Sequence, residues 1–292
     1  MPRSSSFSEC KLFRPAPPTA LQRFLASPTL FLATWLYTHQ PPITSATPGF
    51  PAIKVVCTSD THNARPLLPD GDILIHAGDL TINGTLPELQ AQLDWLSSLP
   101  HRHKIVIAGN HDVYLAHSPT KNLNWGAITH LENSSATLRV HGRTIKIYGA
   151  PQTPIYGNWE FQYPPSLNIW KHSIPLDTDI LVTHGPARGH VDAASPVSGC
   201  PHLLREVFSV KPRLHVCGHK HNARGLEVVD WGWVQWGYDM VNMGEGGVGA
   251  VLVTMGAWVS GWMMGKRRGK MMCVNAAMRE DERGEEGVVV EF

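Results

Sequence analysis

The sequence predicts a mixed α/β (α+β) fold, and three observations carry that prediction. Short apolar runs rich in β-branched residues recur along the chain, from Ile53 to Cys57, Asp72 to Ala77, Ile105 to Ala108, Ile180 to Thr183 and Leu214 to Cys217. Runs of this length read as buried strands. A helical pattern separates the second run from the third, which is the strand, crossover, strand grammar of an α/β sheet. Each run also ends in polar residues able to carry chemistry, and open α/β sheets bind ligands outside the carboxyl ends of their strands.

Composition bounds the reading. The chain has 292 residues, 42% of them apolar, enough for a sizeable core. A formal net charge of +1 excludes a broad electrostatic footprint for nucleic acid or an anionic membrane. The five cysteines (Cys10, Cys57, Cys200, Cys217, Cys273) are far apart and lack CxxC spacing, which reads as buried reduced thiols. Histidine is the unusual residue, with sixteen copies, and it is the commonest metal ligand.

In chain order, residues 1–50 form an N-terminal extension rich in Ser, Pro and Thr, expected to be partly disordered. Its apolar patch from Phe24 to Tyr37 contains Pro28, is too short to span a bilayer and lies too far from Met1 for a signal peptide. The basic start (Arg3, Lys11, Arg14, Arg23) faintly resembles a transit peptide, whereas an amphipathic arm or plain disorder is the plainer reading. A Pro-Gly cluster from Pro41 to Pro51 marks the boundary of a domain over 51–292.

After the second strand, Thr85 and Glu88 are spaced as a capping box. Leu86, Leu89, Leu93 and Leu96 share one helical face, and Pro100 ends the helix. Thr137 to Tyr148 reads as a hairpin turning at His141-Gly142. The long loop from Gly149 to Trp170 carries prolines and aromatics, and is expected as a packed cover more than a substrate-facing lid. A second helix runs from Pro201 to Ser209. From 229 to 272 no dependable periodicity survives, so a divergent insertion of strands and loops, or a poorly folded stretch, is expected. The tail from Arg279 to Glu286 reads as solvated, and Val288 to Phe292 as an edge strand.

The strand ends supply Asp60 with His62, Asp79, Asn110 with His111, His184, and His219 with His221. Asp60, His62, Asp79, Asn110, His184, His219 and His221 are too many for one tetrahedral zinc, and no thiolate joins them. Imidazole, carboxylate and amide donors together suit two neighbouring ions such as Mn²⁺, Fe or Zn²⁺, with a carboxylate able to bridge. Two divalent ions outweigh two aspartates and a hydroxide, leaving positive charge to attract a phosphate oxygen. His111 is free to face a substrate, with Asp112 expected to fix its tautomer.

Asp60-x-His62, Gly78-Asp79, Gly109-Asn110-His111-Asp112, Thr183-His184-Gly185 and Gly218-His219-x-His221 resemble, in order and placement, the signature blocks of the calcineurin-like metallophosphoesterase superfamily. The surrounding wording, including Tyr148-Gly149-Ala150-Pro151 and Cys273-Val274-Asn275-Ala276-Ala277, is most similar to its metallophosphoesterase-domain-containing branch. The resemblance implies a four-layer β-sandwich flanked by α-helices, with a dinuclear metal site at the strand ends. It implies Asp60, His62, Asp79 and His221 on one ion and Asp79, Asn110, His184 and His219 on the other. It further implies a phosphodiesterase acting on cyclic nucleotides or similar small phosphodiesters through a hydroxide bridging the ions, with His111 facing the substrate. A phosphomonoesterase, or a regulatory protein with the site blocked by the insertion, are the alternatives. Lys220 and Asn222 depart from the pattern, standing where relatives often carry an apolar residue and a glutamate.

Asn63, Arg188 and His190, the last near Asp192, are candidate substrate contacts, and Arg65 is the other basic residue near a ligand block. His76 and His215 are expected to pack inside, His101 and His103 to be solvated. The expected partner is a small phosphoester, with no nucleic-acid polymer and no membrane span, in a cytoplasmic setting.

Overall fold

The computed structural model describes residues 18–40, 51–117, 122–192, 198–261, 269–278 and 287–292. Most of the Pro41–Pro51 cluster, the basic residues Arg3, Lys11 and Arg14, Lys266-Arg267-Arg268 and the charged tail lie outside them. The elements in chain order are α1 (Ala20–Ala26), α2 (Pro28–Thr38), β1 (Lys54–Thr58), β2 (Ile73–His76), α3 (Leu86–Ser98), β3 (His103–Val106) and α4 (Val113–His117). There follow β4 (Ile128–His130), β5 (Ser134–Val140), β6 (Arg143–Ala150), β7 (Thr153–Pro154), β8 (Gln162–Tyr163) and β9 (Ile180–Thr183). The remainder is α5 (Pro201–Val210), β10 (Leu214–Cys217), β11 (Gly225–Asp230), α6 (Trp233–Asn242), α7 (Val248–Gly261), β12 (Lys270–Asn275) and β13 (Val288–Glu291).

Two main sheets form, ordered β13-β1-β2-β3-β4 and β11-β12-β10-β9-β6-β5, beside a two-stranded β7-β8 sheet. β1 to β4 are mutually parallel, and β13 closes their edge antiparallel to β1. In the second sheet β6, β9, β10 and β12 run parallel, with antiparallel strands β5 and β11 at its edges. Strand alternation explains why both sheets are covered twice. Val55, Cys57, Ile73, Ile75 and Ile105 point to the shared core, where they meet Ile147, Ile180, Val182, Leu214, Val216 and Val274. Val56, Leu74 and Val106 point the other way, onto Leu89, Leu93 and Leu96 of α3. Tyr148, Leu181 and Cys273 likewise meet Leu203, Leu204 and Val207 of α5. The result is helix, sheet, sheet, helix: four layers, as the resemblance implied.

α3 starts where the capping box places it. Thr85 Oγ1 accepts from the Glu88 amide while Glu88 accepts from the Thr85 amide. At β5–β6 the turn falls on His141 and Gly142, both at positive φ, as a tight hairpin requires.

The stretch from 229 to 272 corrects the expectation of strands and loops, because α6 and α7 occupy much of it. Its periodicity is hidden because both helices bury polar residues among their apolar ones, and α7 also exposes apolar side chains. α6 buries Gln235, Asp239 and Asn242, spaced i, i+4, i+7 on one face. α7 buries Thr254, which donates to the Ala250 carbonyl, and exposes Val248, Leu252, Val253, Met255 and Val259. Gly237 lets the two helices touch, since a Cβ there would lie 1.8 Å from Thr254 Oγ1. Of the N-terminal extension, α2 packs Ala33, Leu36 and Tyr37 against Tyr238, Val241, Ala250 and Val251. The loop from Gly149 to Trp170 is both cover and rim: Tyr163 and Trp170 are buried, whereas Tyr156 and Trp159 are exposed. His101 corrects its solvated reading, being buried with Nε2 2.9 Å from the Pro69 carbonyl.

Leu93→Ala is expected to cost about 2–5 kcal/mol in urea unfolding, the range for emptying a closed leucine site. Leu67→Ala, at a side chain 86% exposed, should stay within about 0.5 kcal/mol.

Candidate metal centre

The strands that deliver the seven proposed ligands end side by side, so their loops converge on one rim. Asp60, His62, Asp79 and His219 all take left-handed backbone angles, with φ of 55°, 43°, 55° and 68°. Non-glycine residues pay for that conformation, and such strain concentrates at functional sites. Two glycines permit the close approach. A Cβ on Gly109 would lie 2.3 Å from Asp79 Oδ1, and one on Gly218 would lie 2.2 Å from Asp60 Oδ2.

The ligand atoms of Asp60, His62 and His221 all lie within 4.8 Å of one another. The same holds for His62, Asp79 and His111, and for Asp79, His184 and His219. Asp79 therefore belongs to two groups, its Oδ2 lying 3.9 Å from His62 Nε2 and 3.4 Å from His184 Nε2. Asn110 joins through Oδ1, 3.0 Å from His184 Nε2. His221 Nε2 lies 3.3 Å from Asp60 Oδ1. All seven proposed ligands thus come together.

The donor set fits divalent cations. His62 and His184 turn Nδ1 to the carbonyls of Thr81 (3.1 Å) and Ala77 (2.8 Å), which puts a proton on Nδ1 and leaves Nε2 facing the cluster. Metal-binding histidines are oriented in this way. Asp60 Oδ2 is taken by the Ser59 hydroxyl (2.6 Å) and the His219 amide (2.9 Å), while the buried Oδ1 makes no hydrogen bond of ordinary geometry. Burial works against the Asp60 charge, but hydrogen bonding to His221 and the nearness of His184 hold the carboxyl well below the usual range. Burial also pulls on His184, yet Asp79 and Asp60 together push it up to about 9. One imidazolium then balances two carboxylates, a place a metal cation would take.

His111 stands at the edge of this cluster. Its amide donates to Asp79 Oδ1 (2.8 Å), and its ring lies 4.1 Å from that of Trp159. Its Nδ1 lies 2.8 Å from the Ile82 carbonyl, so the proton sits on Nδ1 and Nε2 is left open. Asp112 therefore does not orient His111, contrary to expectation. Its buried carboxylate instead accepts from the amides of Leu80, Thr81 and Gly109 and from the Thr81 hydroxyl. Asp112 ties the Asp79 loop to the Asn110 loop, and burial together with nearby Asp79 pushes it up to about 6.

Two candidate substrate contacts are also corrected. Asn63 donates to Glu88 Oε1 at the start of α3 (2.8 Å). His190 is buried and lies 3.2 Å from Glu227 Oε2 and 2.9 Å from Asp239 Oδ1, within a polar knot that also holds Gln235 and, through Glu227, Tyr37. That knot was invisible beforehand because its members are far apart in sequence. Arg65 is likewise engaged, donating to the Ala91 carbonyl. Arg188, by contrast, lines a cavity of about 350 Å³ that His219, Tyr156 and Lys220 also line. Tyr156 and Trp159, on the loop read as a cover, are the site neighbours that strand-end reasoning missed.

Asp79→Asn should lower bound metal from about two ions to one or none per chain, read by elemental analysis. For His190, burial opposes the charge, but Glu227 and Asp239 raise its pKa well above 6.5. A raised pKa means that this stabilisation is full below pH 6.5 and fades as pH climbs through the folded-state value. The gap in urea midpoint between the native chain and His190→Gln should therefore be flat from about pH 5 to 6.5 and narrow in alkali.

The family model for calcineurin-like phosphoesterases matches residues 53–223. A metallophosphoesterase domain-containing protein 1 from Homo sapiens is 37% identical over 208 residues, covering 61% of this chain and 63% of that protein. A UPF0046 protein of Caenorhabditis elegans is 32% identical over 200 residues, covering 62% of this chain and 67% of that one. A protein from Emericella nidulans named probable rhamnogalacturonate lyase C is 42% identical over 247 residues, which cover 81% of this chain but only 24% of that one. The match thus spans about a quarter to two thirds of these relatives. With the ligands of every signature block gathered at one rim, the chain belongs to the calcineurin-like phosphoesterase family.

Proposed function

We propose that this chain is a metal-dependent hydrolase of small phosphoesters, acting on phosphodiesters of the size of a cyclic nucleotide. The observation that carries the reading is Asp79, which lies near His62 and also near His184 and His219, so that its carboxylate could reach either of two cations. Mixed imidazole, carboxylate and amide donors suit Mn, Fe or Zn. When bound, two such ions supply a water-derived nucleophile at neutral pH and offset charge on the phosphate.

The chain's own residues supply the rest. His111, with Nδ1 held by the Ile82 carbonyl, leaves Nε2 free to take up a proton from solvent and pass it to a departing alkoxide. Trp159 packs on that ring and limits its rotation. Asp112 keeps the backbones of Leu80, Thr81 and Gly109 in register, so the Asp79 and Asn110 loops cannot drift apart. The adjoining cavity, walled by Pro154, Ile155, Tyr156 and Pro186, has room for an organic substituent on phosphorus. That room fits the organic part of a small phosphoester.

Turnover should be measured with bis(4-nitrophenyl) phosphate and 4-nitrophenyl phosphate at saturating Mn²⁺. A higher kcat/KM for the diester supports the reading, and turnover of the monoester alone overturns its diester part. His111→Ala should retain its metals and lose about 10²–10⁴-fold in kcat, most with poor leaving groups, the range for a lost proton donor. An unchanged rate with both good and poor leaving groups would remove His111 from the chemistry.

A further inference from the structure

The cavity beside the metal centre carries two cationic side chains, Arg188 and Lys220, and no acidic side chain lines it. Arg188 makes no ion pair or side-chain hydrogen bond among the described residues, and its Nε is buried without a partner. Burying a guanidinium nitrogen unpaired is costly, so an unmet donor at a cavity wall points to an anion that is absent from the chain itself. Lys220 is partly buried, with Nζ 5.1 Å from the centroid of the Tyr156 ring and no carboxylate in ion-pair range among the described residues. The remaining walls are mostly apolar, with Pro154, Ile155, Pro165, Pro186 and Pro201 among them and Ser198 as a polar exception.

The described residues around Arg188 are held by hydrogen bonds. The Arg188 amide donates to the Cys200 carbonyl (3.2 Å), and the Cys200 amide donates back to Pro186 (3.0 Å). Asp192 accepts from the amides of Gly189 (3.0 Å) and Gly199 (2.9 Å). Tyr238 of α6 donates to the Gly189 carbonyl (2.7 Å), so the inserted helices brace the loop from behind. Such preorganisation lowers the ordering cost of binding.

We infer that Arg188 and Lys220 form a second anion subsite, so that the substrate carries a carboxylate or a further phosphate on the organic group attached to its scissile phosphorus. The inference rests on the phosphoesterase reading, since His219 borders both the metal cluster and the cavity. The substrate class becomes doubly anionic phosphoesters with a compact organic spacer. The apolar walls meet the spacer, and the two cations meet its far end. Lys220, which departs from the family pattern, then acts in specificity.

The test is equilibrium binding to the Mn²⁺-loaded chain of three non-hydrolysable diester analogues: methyl(phenyl)phosphinate, (4-carboxyphenyl)(methyl)phosphinate and (4-phosphonophenyl)(methyl)phosphinate. At least one analogue with a second anionic group should bind tenfold or more tightly than methyl(phenyl)phosphinate, and which one identifies the second anion. Arg188→Met with Lys220→Met should collapse that ratio toward one, Arg188→Lys should restore part of it, and Arg65→Met should leave it as it was. If the double variant fails to fold, the ratios on the unaltered chain and on each single variant still decide. Equal affinity for all three, or a preference that survives the double variant, overturns the subsite while leaving the phosphoesterase reading intact. If none binds and neither aryl phosphate is hydrolysed, both readings fall.

Discussion

Two aspartates set the terms for this fold. Asp60 and Asp79 are each 2% exposed, and they share one rim. Like charges at that depth repel strongly unless cations answer them. Within the chain that answer is His184, which the two carboxylates push up to about 9, while His62, His219, His221 and Asn110 bring donor atoms to the same rim. Close contact between the ligand-bearing loops is possible only because Gly109 and Gly218 lack side chains where the carboxylates must pass. Four backbones accept left-handed angles to finish the arrangement, and the stability for that comes from the apolar mass below.

That apolar mass explains how much could be read directly from the chain. Strands covered on both faces must be apolar throughout, so β1, β2, β9 and β10 appeared as unbroken runs ending in the residues that mattered. The ligand positions followed from the same property, since a buried strand that stops at Asp or His leaves that side chain at a rim. What escaped was governed by contacts distant in sequence. Asp112 sits next to His111 along the chain, yet turns inward to backbone amides on another loop. His190 looked like a loop histidine near a ligand until Glu227 and Asp239 arrived from strand and helix. α6 and α7 defied pattern reading because Gln235 and Asp239 face inward while Leu252 and Val259 face outward, against the pattern of an ordinary surface helix.

The inserted helices and the N-terminal helices form one annex to the sandwich. Tyr37 from α2 stacks on Tyr238 from α6 with ring centroids 4.2 Å apart, and its hydroxyl donates to Glu227 on β11 (2.7 Å). Through His190 and the Gly189 carbonyl this annex reaches the loop that lines the cavity. Residues before position 40 therefore bear, at one remove, on the surroundings of the metal centre. The coupling is mechanical: stacked rings and the hydrogen bonds of His190 and Tyr238 tie the annex to residues 189 and 190.

The sandwich is sealed at β13 and the residue after it. Ile53 and Phe292 exchange backbone hydrogen bonds of 3.0 and 3.1 Å, and the Phe292 ring lies beside the guanidinium groups of Arg143 and Arg213. All seven proposed ligands precede residue 222, whereas the strands flanking β1 and β10 on their outer sides, β13 and β12, come later. At about 5–20 residues per second, a growing chain would hold every metal-binding group for several seconds before its edges could close. During biosynthesis, then, the complete ligand set emerges before the strands that close both sheets.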